Sequence, residues 1–204
     1  MTTNVILVRH AVHDLVDRVL VGRMPDVGLS PRGVAQAERL ARHLATCGVV
    51  DALQSSLQLR ARQTARPIAL ALGLDVEIAA GFEELDMGEW TGRSFAELES
   101  DPHWQRWNSE RSNTRPPGGE SMWELQERVM DHLAQIPSRF SGGRVVIVSH
   151  AEPIRAVLLQ LRCMPLDGFA TVQVDPASLT TVRHAGDGWR IVSENLTLDS
   201  MAAA

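Results

Sequence analysis

Two histidines in this chain follow directly on apolar runs. Asn4-Val5-Ile6-Leu7-Val8 ends in Arg9-His10-Ala11, and Arg144-Val145-Val146-Ile147-Val148-Ser149 ends in His150. Near-continuous Val/Ile/Leu runs read as strands covered on both faces, the parallel strands of an α/β sheet. Ligands of open α/β sheets sit beyond the carboxyl ends of such strands, so Arg9, His10 and His150 emerge where a ligand would bind. Either histidine taken singly reads equally well as a loop or core residue with a satisfied hydrogen bond; the repeated arrangement is harder to dismiss. The chemistry these residue types allow is that of phosphate. Arg9 and Arg60 each offer a planar fork of donors matched to phosphate oxygens, and His150, if protonated, adds a third cationic donor. Charge-assisted hydrogen bonds contribute ~1.5–3 kcal/mol each, enough for a local anion pocket in an acidic protein. An imidazole such as His10 attacks in its neutral form and can carry a phosphoryl group.

The elements that must position these residues can be read in order. Residues 12–28 form an irregular loop over the expected site, with Gly22, Pro25 and Gly28. Ser30 as N-cap and Pro31 at the first helical position start a helix over 31–46, with Ala37, Leu40, Ala41 and Leu44 on one face. A short strand is expected over 49–53, then a helix carrying Arg60, Arg62, Thr64 and Ile68 up to Gly73, and a strand over 75–78. Residues 91–119 mix Trp104 and Trp107 with Arg106, Arg111 and Arg115, too short a stretch for its own core, and read as an inserted helical cap. Helices are expected over 121–137 and 153–163, and shorter strands over 169–174, 179–184 and 189–194, with a Gly186-Asp187-Gly188 turn. The expected architecture is one domain, 1–204: a three-layer α/β/α sandwich, mostly parallel, with one antiparallel edge strand.

The chain has 204 residues, 44% of them hydrophobic and 22% charged, with a net charge of −5. That charge argues against a nucleic-acid surface, which needs a concentrated basic stripe. No stretch approaches the ~18 apolar residues of a membrane span, and the N-terminus enters the first strand without a basic, then apolar, leader. A cytoplasmic protein that binds neither membrane nor nucleic acid is expected. Cys47 and Cys163 have no metal or CxxC spacing and read as reduced, partly buried thiols. His10 and His13 form an HxxH pair without a third ligand nearby, so no metal site is expected. The apolar stretch 159–164 leaves room for a homodimer.

Five blocks in order, LVRHA (7–11), SSLQLRARQTA (55–65), EELDMGEWTG (83–92), PGGES (117–121) and VSHA (148–151), resemble the histidine phosphatase superfamily, the phosphoglycerate-mutase-like fold. The resemblance implies a metal-independent phosphomonoester hydrolase of small phosphorylated metabolites, without cofactor. It implies His10 as nucleophile, Arg9, Arg60 and His150 around the phosphate, and Glu84 as proton donor, with Glu83 its rival. Arg23, in a Gly-Arg segment like the family's, and Ala151 are implied substrate contacts. Val12-His13-Asp14 stands where many members carry Glu, then Thr or Ser, then Asn. Leu57-Gln58 replaces the commoner Pro-Leu. These departures bear on substrate choice rather than reaction class. The resemblance also admits a phosphoglycerate-type mutase, although residues 91–119 and the C-terminal tail are short beside those of mutases, and a non-catalytic phospholigand- or partner-binding member of the fold.

Overall fold

Strand β1 (Thr3–Arg9) lies inside a six-stranded sheet, and its side chains divide between two hydrophobic clusters. Val5 and Leu7 join one cluster, Ile6 and Val8 the other, as the two-residue period of a strand requires when both faces are covered. The structure, a computed structural model, describes residues 1–186 and 188–198. The expected turn at 186–188 has its central residue, Asp187, outside the described residues.

The remaining strands are β2 (Ala52–Ser55), β3 (Val76–Ile78), β4 (Arg144–Ser149), β5 (Leu179–Ala185) and β6 (Gly188–Leu196), in the sheet order β3-β2-β4-β1-β5-β6. The first four of that order are parallel; β5 runs antiparallel to β1 and forms a hairpin with β6 at the edge. Helices α1 (Pro31–Thr46) and α2 (Leu59–Leu72) pack on one face through Leu40, Leu44, Ala65 and Ile68. The segment 91–119 holds two short helices, α3 (Phe95–Leu98) and α4 (Pro102–Ser109). On the opposite face lie α5 (Met122–Arg139) and α6 (Ala151–Leu161). This is the α/β/α sandwich the sequence predicts.

Local signals set most element ends. Ser30 accepts a hydrogen bond from the amide of Gly33 with Pro31 at N1, and Gly73 closes α2 in the left-handed conformation. Ser121 and Glu124 form a reciprocal capping box at the start of α5. Buried Leu125, Val129, Leu133 and Ile136 then run down one face of that helix, each worth about 1.5–3 kcal/mol of transfer free energy. Trp90, Leu98 and Trp107 belong to the same cluster as Leu7 and Ile147, so the tryptophans around 91–119 are packing residues.

Four expectations are corrected. The second strand is Ala52–Ser55, a few residues later than 49–53, because Val49 lies exposed after Gly48 while Leu53 to Ser55 enter the sheet fully buried. Residues 169–174 are not a strand: a 3-10 helix spans Leu166–Thr171, Val172 closes it in extended backbone, and Val174 follows outside the sheet. Their carbonyls accept from Arg155 Nε (2.9 Å) and Arg9 Nη1 (2.6 Å), so arginine side chains take the place of a neighbouring strand. The stretch 159–164 is not an exposed apolar edge, since Leu159 is fully buried and Leu161 and Met164 pack against the core. Both cysteines are free; Cys163 is exposed rather than partly buried. Among the described residues no helix is long and apolar enough to cross a membrane.

Candidate active site

Strands β1 and β4 are neighbours with Arg9 opposite Ser149, so the residues that follow them, His10 and His150, leave the sheet side by side. The amide of His10 donates to the Ser149 carbonyl (2.8 Å), and the two imidazole centroids lie 5.1 Å apart. Next in the sheet, β2 ends in Ser55. Ser56 and the first turn of α2 follow it, bringing Arg60 into the same place. Three adjacent strand ends thus supply the centre of the site. They surround a cavity of about 240 Å³ lined by Arg9, His10, His13, Arg60, Glu84 and Ala151, with Arg155 and Phe95 at its wall.

The hydrogen bonds assign the protons. His10 Nδ1 lies 2.8 Å from the Ala11 carbonyl, which can only accept, so Nδ1 carries the proton and Nε2 keeps its lone pair. Arg60 Nε donates to that Nε2 at 3.2 Å. Arg60 Nη2 lies 2.8 Å from the Gly22 carbonyl and 3.1 Å from His150 Nδ1. Since a guanidinium has no acceptor, His150 Nδ1 accepts, and its Nε2–H donates to Ser56 Oγ (2.6 Å). Both imidazoles are held neutral, well below the usual histidine range, by burial and then by Arg60. His150 is therefore a neutral acceptor here; complete burial beside Arg60 and Arg9 disfavours the protonated form in which it would be a third cationic donor. Two guanidinium nitrogens, Arg9 Nε and Arg60 Nη1, are buried without a partner. A buried donor left unpaired costs ~1–3 kcal/mol, and both arginines line the cavity.

Glu84 is the carboxyl group that faces this cationic centre. Its Oε2 lies 3.9 Å from His150 Nδ1, and its Oε1 accepts from the Leu85 amide (2.9 Å). Burial, then the charge of Glu152, raises its pKa to about 7, against the opposing pull of Arg60. Glu83 points elsewhere: its Oε1 accepts from the Leu57 amide at 2.6 Å, and it is absent from the cavity wall. Of the two adjacent carboxylates, Glu84 is the one that lines the cavity with His10.

Arg23, an implied substrate contact, is not among the residues lining this cavity. Its side chain bonds the Glu84 carbonyl (2.7 Å) and Glu120 (3.1 Å) and faces Asp86, outside the cavity wall. Arg128 completes this brace, reaching the carbonyls of Gly81, Glu83 and Glu84 and both carboxylate oxygens of Glu120. The blocks EELDMGEWTG and PGGES are thus two sides of one contact, in which Glu89 N donates to Pro117 O (2.9 Å) and Glu120 N to Asp86 O (2.8 Å). Gly88 sits where they touch, with φ +51° and an added Cβ only 2.0 Å from the Pro117 carbonyl oxygen. Gly88→Ala is expected to destabilise the fold by at least ~1–3 kcal/mol from the backbone conformation alone. Equilibrium denaturation checks this, and an unchanged midpoint would contradict it.

Sequence reasoning missed several residues that hold the centre. Thr64 Oγ1 accepts from the Ala11 amide (3.0 Å) one helical turn after Arg60, and Ser56 orients His150. Glu152 bonds Arg111 (2.9 Å) and Arg155 (2.8 Å), placing Arg155 at the wall. The position of Ser56 after a strand end and the (i, i+4) spacing of Arg60 and Thr64 were the available signals. The HxxH pair forms a ring stack, His10 to His13 at 5.4 Å, and among the described residues no three His, Cys, Asp or Glu side chains group to hold a metal ion.

A four-stranded parallel array extended by an antiparallel hairpin, with helices on both faces and its polar centre at the strand ends, is the phosphoglycerate-mutase-like fold. The chain belongs to the histidine phosphatase superfamily, branch 1, whose sequence pattern matches residues 5–197. It is 35% identical over 189 residues to a bifunctional protein of Mycobacterium tuberculosis, covering 91% of this chain and 51% of that protein; this chain spans about half the length of that relative. It is 35% identical over 182 residues to phosphoserine phosphatase 1 of Hydrogenobacter thermophilus, covering 87% of this chain and 84% of that one. A mycobacterial glucosyl-3-phosphoglycerate phosphatase superposes with a TM-score of 0.86 at 25% identity, covering 97% of this chain and 100% of that chain.

Proposed function

We infer that this chain is a phosphomonoester hydrolase that acts on a small phosphorylated metabolite through a phosphohistidine on His10. The observation that carries the reading is the state of His10: neutral, its Nδ1 committed to a backbone carbonyl, its Nε2 facing Arg60, in a cavity where Arg60 and Arg9 each keep an unpaired buried nitrogen. A dianionic phosphoryl group would take Arg60 Nε from His10 Nε2, freeing the lone pair as it satisfies the orphaned donors. Nε2 then attacks phosphorus, the bond from phosphorus to the ester oxygen breaks, and Glu84 passes its proton to the departing oxygen. In the second step Glu84 takes a proton from water, the oxygen attacks phosphorus, and the P–N bond breaks to release phosphate. The arginines supply the positive charge throughout, so neither half-reaction calls for a metal.

The dianion also reverses the electrostatic argument at His150, whose protonation it favours and whose Nδ1 then becomes a donor. Residues 91–119 act as a cap in this reading and contribute Phe95 to the wall. Relatives named as phosphatases of phosphoserine and glucosyl-3-phosphoglycerate support hydrolysis over isomerisation and make phosphoserine the first metabolite to try. The test is phosphate release from a generic aryl phosphate and from phosphoserine, with and without chelator. Release that survives chelation is expected. Isomerisation of a phosphoglycerate without phosphate release would replace this reading with a mutase, and binding of phosphate without any turnover would replace it with a binding module.

A further inference from the structure

His13 is a buried imidazole that the steps above leave unused. It is 6% exposed, lines the same cavity as His10, and stacks on the His10 ring with centroids 5.4 Å apart and planes 26° from parallel. Its Nδ1 is buried without a hydrogen-bond partner among the described residues. Thr64, Ser56 and the Ala11 carbonyl, polar groups of the same centre, are committed to other partners. A neutral imidazole carries one donor and one acceptor, and the buried, unpaired Nδ1 must be one or the other. An unpaired acceptor is the lesser penalty, which leaves Nδ1 as the bare lone pair and puts the proton on Nε2.

We propose that His13 is a substrate-binding residue whose Nε2–H donates a hydrogen bond to a non-bridging oxygen of the phosphoryl group. The stacking decides between phosphoryl and leaving group. In an in-line displacement the departing oxygen lies opposite the attacking atom, across phosphorus. A ring packed flat beside the nucleophile is on the near side, within reach of the equatorial oxygens and remote from the departing one. His13 is held neutral, its pKa lowered to about 4 by burial, then by Arg60 and Arg9. It therefore offers a donor that does not depend on its carrying a charge. The inference rests on the reading of this cavity as a phosphoryl site, and it deepens that reading by making His13 blind to the alcohol portion of the substrate.

The test measures inorganic phosphate binding by titration calorimetry, together with kcat/KM, for the wild type, His13→Phe and His13→Gln. Phenylalanine keeps the ring stack and removes the N–H; the glutamine amide nitrogen can reach the position of Nε2. His13→Phe is expected to weaken phosphate binding and to lower kcat/KM by roughly ten- to a hundredfold, the loss of one hydrogen bond to a charged group. The factor should be the same for substrates with different alcohols, and the thermal midpoint should not fall, since an unpaired polar ring has been replaced by an apolar one. His13→Gln is expected to recover part of the affinity. Phosphate binding by His13→Phe equal to the wild type would overturn the assignment. Equal losses in both variants with a lowered midpoint would overturn it too, showing a packing role. A wild type that binds no phosphate would remove the phosphoryl reading itself, and this inference with it.

Discussion

His10→Ala is expected to lower turnover by at least ~10⁴-fold while leaving inorganic phosphate binding within about tenfold of the wild type. The asymmetry follows from the division of labour in the cavity. Arg9 and Arg60 hold the anion, and both keep their other anchors in the variant: Arg9 on the Val174 carbonyl, Arg60 on the Gly22 carbonyl and His150. What disappears is the ring nitrogen whose lone pair faces a displaceable partner, Arg60 Nε. His150 cannot substitute, because its Nε2 is committed to Ser56 Oγ and its Nδ1 would be a donor once phosphate is bound. Rapid mixing of wild-type enzyme with a labelled phosphomonoester should trap a protein-bound phosphate that survives base and is lost in acid, as a P–N bond requires, and the variant should trap none. Turnover within tenfold of the wild type would remove the phosphohistidine from the mechanism. The low pKa of His10 adds a sign: because burial and the arginines keep it neutral, loss of nucleophile by protonation begins only well below pH 6.5.

The parts of this protein that were legible in its sequence are those written in periodic or local chemistry. Val5 to Val8 and Val145 to Val148 announced buried strands. Because those strands pair in register, the ends of both runs were bound to meet. Ser30-Pro31 and Gly73 marked helix limits through backbone rules that need no tertiary context. The choice between Glu83 and Glu84 was not legible, since two adjacent carboxylates on an irregular loop have the same local sequence signal. It is made by groups distant in sequence: the Leu57 amide draws Glu83 away, while Arg23 and Arg128 pin the Glu84 carbonyl. The placement of Arg23 was not legible for the same reason, its acceptors being a carbonyl and carboxylates brought up by PGGES. The 172–174 stretch failed differently. Its alternating valines are buried as a strand pattern predicts, yet its carbonyls are consumed by Arg9 and Arg155, and no periodicity encodes which partner a carbonyl will find.

Glu84→Gln is expected to slow hydrolysis of alkyl phosphates such as phosphoserine by ~10²–10⁴-fold, the usual contribution of a positioned general acid. Aryl phosphates should suffer less in the first step, because a phenolate leaves without a proton, so the ratio of the two losses reads Glu84's role directly. The pH dependence gives an independent sign. Burial and Glu152 raise the Glu84 pKa to about 7, so the carboxyl is protonated, and competent to donate, below that value. As pH rises through about 7 the carboxylate forms, and kcat/KM for an alkyl phosphate should fall about tenfold per unit, since kcat/KM reports the free enzyme. In Glu84→Gln that limb should vanish and leave a lower, flat profile. Glu83→Gln should keep both the rate and the limb, because Glu83 serves the Leu57 amide outside the cavity. If the limb persists in Glu84→Gln and disappears in Glu83→Gln, the proton comes from the wrong side of the loop, and the brace built by Arg23, Arg128 and Glu120 must rearrange when substrate binds. If it disappears in Glu84→Gln alone, that brace holds the acid in place before substrate arrives, which is why the part-buried donors of Arg23 and Arg128 are spent on the carbonyls of Gly81, Glu83 and Glu84.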